Sequence, residues 1–134
     1  MLIETAKLLG PDLDFWAAAA WGTYDRGWLL RHKDTSSIPK LSTDWGAAGE
    51  MLHDLHIDFE YGHDTAQAGG DAYCAMVHDF YAPIEGHRDS YTLLAKGFGP
   101  DHLVAAARAV VKSVYGETVP VNPTYEHLHL GAKA

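Results

Sequence analysis

The sequence predicts an α+β fold, a small antiparallel sheet of about three strands packed against two main helices, one N-terminal and one C-terminal. Two helical patterns and one change of period predict it. After Pro100, apolar residues recur at Leu103, Ala107, Val110, Val111 and Val114 and lay one stripe along a helix. Near the amino terminus Leu13, Trp16, Ala17 and Ala20 do the same. From Leu55 onward, Leu55, Ile57, Phe59 and Tyr61 alternate with His56, Asp58 and Glu60, the two-residue period of a half-buried strand.

Leu2 and Ile3 open a short segment that runs to Leu8, Leu9 and Gly10. Gly10, Pro11 and Asp12 then read as a helix start, with Asp12 or Asp14 near its positive end, and Gly22 as its stop. The four alanines at 17–20 have no bulk, so this helix needs a closely packed neighbour, and the helix carrying Ala105, Ala106 and Ala107 is the natural one. Residues 23–41 lack a clean period and contain Asp34, Thr35, Ser36, Ser37 and Pro39, which predicts mostly loop, anchored by a short turn at Trp28, Leu29 and Leu30. Ser42, Thr43 and Asp44 are placed to cap a brief helix beginning at Trp45, with Glu50 on its exposed side. Strands follow at 72–78 and 91–97, separated by a linker with Pro83 and Gly86, and residues 62–71 form a loop. Short connections favour a meander with one wet face and one face covered by helices. In the last helix Pro100 suits the first turn, Gly116 suits the close, and Arg108 and Lys112 fall on the side expected to be wet. Val119, Pro120, Val121, Asn122 and Pro123 read as extended.

The 134 residues fit one domain, with a core over about 2–121 and an extended tail at 122–134 lying over the surface or a neighbouring subunit. No apolar run approaches the ~20 residues that span a bilayer. Glu4 and Lys7 interrupt the first ten residues, so no leader is expected and the chain reads as cytoplasmic. The lone Cys74 excludes an internal disulfide and reads as a buried, inert thiol. Ten Lys plus Arg against eighteen Asp plus Glu give a net charge of −8, which opposes binding to a phosphate backbone.

Three stretches resemble one family. Thr5, Ala6, Lys7, Leu8, Leu9 and Gly10, followed by Leu13, Asp14, Phe15, Trp16 and Ala17, are similar to the opening of small phage and prophage proteins of the NinX-like family, a domain of unknown function. Leu41, Ser42, Thr43, Asp44 and Trp45 resemble its Ser-Thr-Asp-Trp element. Gly99, Pro100, Leu103, Ala105, Ala106 and Arg108, with Tyr115, Gly116, Glu117 and Val119, resemble its ending. The likeness covers Thr5 to Val119 in the family's order and implies a phage or prophage setting; it implies no catalytic residue. Ala48, Gly49, Glu50 and Met51 depart from the Gly-Gly-Pro-Ile usual after the Asp-Trp element. Asp101 and His102 stand in place of the usual Thr, and Tyr73, Cys74 and Ala75 where a Trp is common.

The candidate ligand site is Ser42, Thr43, Asp44 and Trp45 together with Arg108. The turn presents two hydroxyls, a carboxylate and an indole within four residues, with Trp28 as a possible neighbour, and aromatic plates with a few polar groups hold planar ligands. The competing account has Trp45 filling the core while Thr43 or Asp44 caps the next turn, and Arg108 pairing with Asp14 between the two helices. Gly97, Phe98, Gly99, Pro100 and Asp101 lead from strand to helix, where an anion can sit, but Asp101 points to a self-capped end. Gly-x-Ser-x-Gly and phosphate-loop motifs are absent. Histidines and acids at 53–63 (His53, Asp54, His56, Asp58) and the pair His127 and His129 lack the spacing of a zinc site. These features predict a non-enzymatic accessory protein, without cofactor, that binds a small molecule or a host protein rather than nucleic acid or membrane. The alternatives are a homodimer pairing through a sheet edge or the 119–130 tail, and a small metal-dependent hydrolase using 53–63.

Overall fold

In the computed structural model, residues 1–61, 73–83 and 91–129 are described. The order is β1 (Leu2–Glu4), a 3-10 turn (Thr5–Lys7), α1 (Gly10–Trp21), α2 (Arg26–His32), α3 (Trp45–Asp54), β2 (Asp58–Tyr61), β3 (Tyr73–Pro83), β4 (Tyr91–Gly99), α4 (His102–Tyr115), β5 (Thr118–Pro120) and a 3-10 turn (Glu126–Leu128). The fold is α+β, with an antiparallel β2-β3-β4 sheet and an antiparallel β1-β5 pair. The loop expected at 62–71 and the turn at Gly86 lie outside the described residues. No helix among the described residues is long and apolar enough to cross a membrane.

α4 is the central element. Asp101 caps it, its Oδ1 accepting the Val104 N–H at 2.9 Å, so Pro100 falls one residue ahead of the cap rather than in the first turn. Gly116 closes it with φ 86 and ψ −154, a backbone region essentially reserved for glycine. Every residue from 103 to 111 is buried, including Arg108 at 5% exposure. The expectation that Arg108 is wet is therefore overturned. α4 has cover on more than one side: α1 packs along it, and β4 and β3 pack against it as well.

The contact with β4 is unusually close, and two glycines allow it. A Cβ on Gly97 would run into the Ala105 carbonyl oxygen and the Ala109 nitrogen; one on Gly99 would lie 2.7 Å from the Ala105 nitrogen and 2.9 Å from Val104 Cγ1. Strand backbone thus rests directly on helix backbone, a spacing that any side chain on the strand would hold open. On the same face of the sheet, Ala75, Val77 and Ala95 are buried, whereas Leu94, Lys96 and Phe98 point the other way and are exposed.

α1 starts at Gly10 with Pro11 in its first turn and ends at Gly22, whose φ of 85 is left-handed. Residues 13–20 are all buried, not only the stripe read from the sequence, because α4 covers one side while Leu29 of α2 and Leu41 join the core on another. The small-residue segments of α1 and α4 pack together as the alanines require.

Two stretches differ from the sequence reading. Residues 23–41 contain a helix, α2, capped by Asp25, whose Oδ2 accepts the Trp28 N–H at 3.0 Å. Only Leu29 of its seven residues is buried, so no apolar period betrays it, and Tyr24, Trp28 and His32 stack along its side instead. The alternation from Leu55 yields a strand only at Asp58–Tyr61: Leu55 closes α3 and His56 adopts φ 47. β3 and β4, by contrast, occupy the expected segments and extend to Pro83 and Gly99.

The segment after Gly116 does more than extend. Ile3 pairs with Val119, and Thr5 ties the 3-10 turn to the end of α4, its N–H donating to the Glu117 carbonyl and its Oγ1 to the Gly116 carbonyl, both at 2.8 Å. The tail, as far as residue 129, is folded back on the body. Leu128 is 1% exposed, its carbonyl accepts the Tyr115 hydroxyl at 3.0 Å, and the Arg26 guanidinium lies 4.0 Å from the Tyr125 ring centroid. Residues 130–134 lie outside the described residues.

Candidate functional site

A cleft of about 240 Å³ opens where α4, the outer edge of β4 and the Thr5–Lys7 turn come together. α4 supplies Arg108 and Lys112, β4 supplies Lys96, Gly97 and Phe98, and Thr5, Ala6 and Glu117 close the opposite side. Three of the chain's ten Lys and Arg residues thus line one small opening, with Glu117 as the acid among them.

Each cation is held differently. Arg108 is buried and fixed: its Nε donates to the Leu8 carbonyl at 3.0 Å and its Nη1 to the Phe98 carbonyl at 2.8 Å. It binds the segment before α1 to the edge of β4 through two main-chain oxygens, for which a planar multidonor group is suited and an ammonium is not. Lys112 is half-exposed and lies 3.2 Å from Glu117 Oε1. Lys96 is more exposed, with its Nζ 3.9 Å from Glu60 Oε2. Because the Phe98 carbonyl turns out toward Arg108, the alternation of an antiparallel strand turns the main-chain N–H groups of Phe98 and Lys96 toward the same edge. The cleft therefore offers an anion the Lys112 ammonium and main-chain donors along the edge of β4, beside a guanidinium that is held by the fold.

Of the five residues singled out in the sequence, four lie outside the lining of this cleft. Ser42 is 1% exposed; its N–H and Oγ donate to Asp14 Oδ1 at 2.8 and 2.6 Å. Asp14 therefore serves Ser42, and Arg108 serves Leu8 and Phe98, in place of the Asp14–Arg108 ion pair expected between the helices. Thr43 is exposed, and Asp44 caps α3, its Oδ1 accepting the Gly46 N–H at 2.9 Å. Trp45 is 58% exposed, so it does not fill the core; its ring lies 6.0 Å from that of His102, which also meets Phe59 and Tyr73. Trp28 stacks on Tyr24, as part of α2. Only Arg108 of the five lines the cleft.

Sequence reasoning missed Lys96, Lys112 and Glu117. Arg108 and Lys112 are visibly one turn apart, but nothing in the spacing brings Lys96 to them; the glycine-mediated crossing of β4 over α4 does. The available signal was Arg108 itself, a charge within an alanine-rich helix that must find polar partners once buried.

Cys74 is 3% exposed, and burial pushes its thiol pKa up, away from the reactive thiolate. Among the described residues no group of three or more His, Cys, Asp and Glu side chains is arranged to hold a metal ion. His53 and His56 have ring centroids 6.1 Å apart, and His127 Nδ1 accepts the Thr124 N–H at 2.9 Å within a local turn. Residues 62 and 63 of the 53–63 segment lie outside the described residues. No protein-family profile and no curated protein matches the chain.

Proposed function

We propose that this chain is a non-enzymatic binding protein that holds a small anionic molecule in the cleft between α4, β4 and the Thr5–Lys7 turn, in the cytoplasm of a host carrying a phage or prophage. The phage setting rests on the resemblance of the Thr5 to Val119 motifs to the NinX-like family. The observation that supports the binding reading is that Lys96, Arg108 and Lys112 all border one small cleft in a chain of net charge −8. Positive lining focuses field into such a concavity and raises the local concentration of an anion against the overall charge. A binder suits these residues better than a hydrolase. Thr5, the one hydroxyl in the lining, is 2% exposed and donates to the Gly116 carbonyl, and Glu117 is engaged by Lys112.

A small ligand fits this edge better than an incoming strand. β4 shifts register against β3 between Val77 and His78, carries Lys96, and has its Phe98 carbonyl already satisfied by Arg108. Irregularity, a lysine and a capped carbonyl are how sheet edges resist pairing. A second reading, a homodimer, is favoured by Leu93 and Leu94 of the same strand, which are 43% and 50% exposed. Sedimentation tests that reading, and a monomer at micromolar concentration removes it.

The binding reading is tested by NMR titration of the full chain with phenyl phosphate at constant ionic strength. Amide shifts should centre on Lys96, Phe98, Lys112 and Glu117 and vanish in the Lys96→Gln/Lys112→Gln double variant. At ten times Kd the ligand should also raise unfolding free energy by about 1.4 kcal/mol. Shifts spread over the surface, or unchanged in the double variant, refute it.

A further inference from the structure

We infer that a second cleft, between α1 and the β1–β5 pair, is a binding site for a compact neutral molecule that carries an amide within a ring. This goes beyond the proposed function and does not rest on it. The cleft holds about 160 Å³, and Trp16 forms part of its wall. Trp16 is 2% exposed, and edge-on contacts with Phe15 and Tyr115, ring centroids 5.5 and 5.1 Å away, fix its ring. Its indole N–H meets no acceptor among the described residues, whereas the indole of Trp21 donates to Asp54 Oδ2 at 3.3 Å. No fully buried side-chain nitrogen or oxygen among the described residues lacks a partner. The Trp16 nitrogen therefore keeps contact with solvent, and the cleft that Trp16 lines supplies it. A donor nearly enclosed by the core, held rigid and open toward a cleft is a ready point of recognition for an incoming acceptor.

Charge, size and walls select the ligand class. The charged side chains lining the cleft are Asp12 and Lys33. Lys33 is already met by two acids, its Nζ 3.1 Å from Asp34 Oδ2 and 4.0 Å from Asp12 Oδ1. With Asp34, which stands outside the lining, the group is negative overall, so an anion finds no unanswered cation here. A cation without lone pairs cannot accept from an indole N–H. A neutral carbonyl can. Asn122, exposed where it lines the cleft, offers a carboxamide whose donor and acceptor stand side by side. That is the complement of the adjacent N–H and C=O of a cyclic amide. Ile3, Leu8, Pro120 and Val121 give apolar cover to the rest of the ring. A cavity of about 150 Å³ takes up benzene, so about 160 Å³ suits one six-membered ring and not a fused pair.

The test is NMR titration of the full chain with 2-pyridone, toluene and benzoate at fixed ionic strength, read at the four tryptophan indole N–H signals. 2-Pyridone should move the Trp16 indole proton downfield and leave that of Trp45, 58% exposed at the start of α3, in place. Trp16→Phe assigns the signal; if that variant does not fold, contacts between the indole and the Tyr115 ring in wild-type spectra assign it. Asn122→Ala, a change at an exposed side chain, should weaken 2-pyridone binding about two- to ten-fold, the range that a neutral hydrogen bond contributes. An unmoved Trp16 signal at tens of millimolar 2-pyridone overturns the site, whatever phenyl phosphate does at Lys112. Movement at Trp16 sustains it even where the phenyl phosphate titration fails. Toluene matching 2-pyridone overturns the need for an acceptor, and benzoate binding more tightly overturns the neutral class. Equal affinity in Asn122→Ala overturns the amide pairing.

Discussion

Replacing Gly97 by alanine tests the architecture at its tightest point. The added Cβ would meet the Ala105 carbonyl oxygen and the Ala109 nitrogen, and would lie 2.8 Å from the Ala109 Cα. All three are backbone atoms of α4, so no side chain can rotate away and the helix itself must retreat. Residues 103–111 are buried throughout, and a retreat loosens packing along that whole length. Overpacking costs about 1–3 kcal/mol, and the backbone obstruction places this case near about 3. The lower entropy of an unfolded alanine chain offsets about 0.4–1 kcal/mol, leaving a net loss of about 2 kcal/mol. For a domain of this size that is a fall in Tm of roughly 6–10 °C. The matched control is Gly49→Ala in α3, where an added Cβ meets nothing within 4 Å and helix propensity should add about 0.5–1 kcal/mol. Urea unfolding of both variants against wild type gives the answer. Gly97→Ala unfolding at or above the wild-type midpoint, with Gly49→Ala stabilised as expected, would show that strand and helix do not meet through their backbones.

Asp14→Ala leaves the buried Ser42 N–H and hydroxyl without their shared acceptor and should cost about 3 kcal/mol, with Ser42→Ala costing about 1, both read from urea midpoints. Asp101→Ala removes the α4 cap and should cost about 1 kcal/mol; a neutral result in thermal unfolding would argue against that cap. Burial raises the Tyr115 pKa from 10.0 to about 12, partly countered by the positive charge of Arg26. The raised value means that the native state keeps its proton longer, so stability is unaffected below about pH 10 and declines as pH rises toward 12. Discounted for partial solvent screening, the loss is about 1 kcal/mol, and Tyr115→Phe should abolish this share of the alkaline decline in chemical unfolding.

Much of the architecture was legible because it follows from local chemistry. Asp101 and Gly116 bracket α4, Gly10, Pro11 and Gly22 bracket α1, and alanine-rich stretches demand close neighbours wherever they are placed. β3 and β4 carried strand residues bounded by turn formers. Ser42, Thr43 and Asp44 before Trp45 marked the start of α3, and the structure makes Asp44 its cap. Where the pattern failed, the cause was equally physical. α2 buries one residue and is held by stacked rings, so it has no period to detect. The alternation over 55–61 was broken by the left-handed backbone of His56.

The site was less legible, since burial and partner choice are properties of the assembled fold. A helical wheel assigns Arg108 to the wet side of α4, yet α1, β3 and β4 cover that helix so fully that Arg108 is buried and bound to carbonyls before α1 and at the end of β4. The same crossing carries Lys96, twelve residues before Arg108 in the chain, to a cleft shared with Lys112; Ser42 is drawn inward by Asp14 of α1, and Trp45 stays outside. Residue order by itself determined which segments coil, which extend and where each stops, because caps, glycines and apolar periods act over a few residues. Which charges share a cleft was decided only in three dimensions, by two glycines that let a strand lie against a helix.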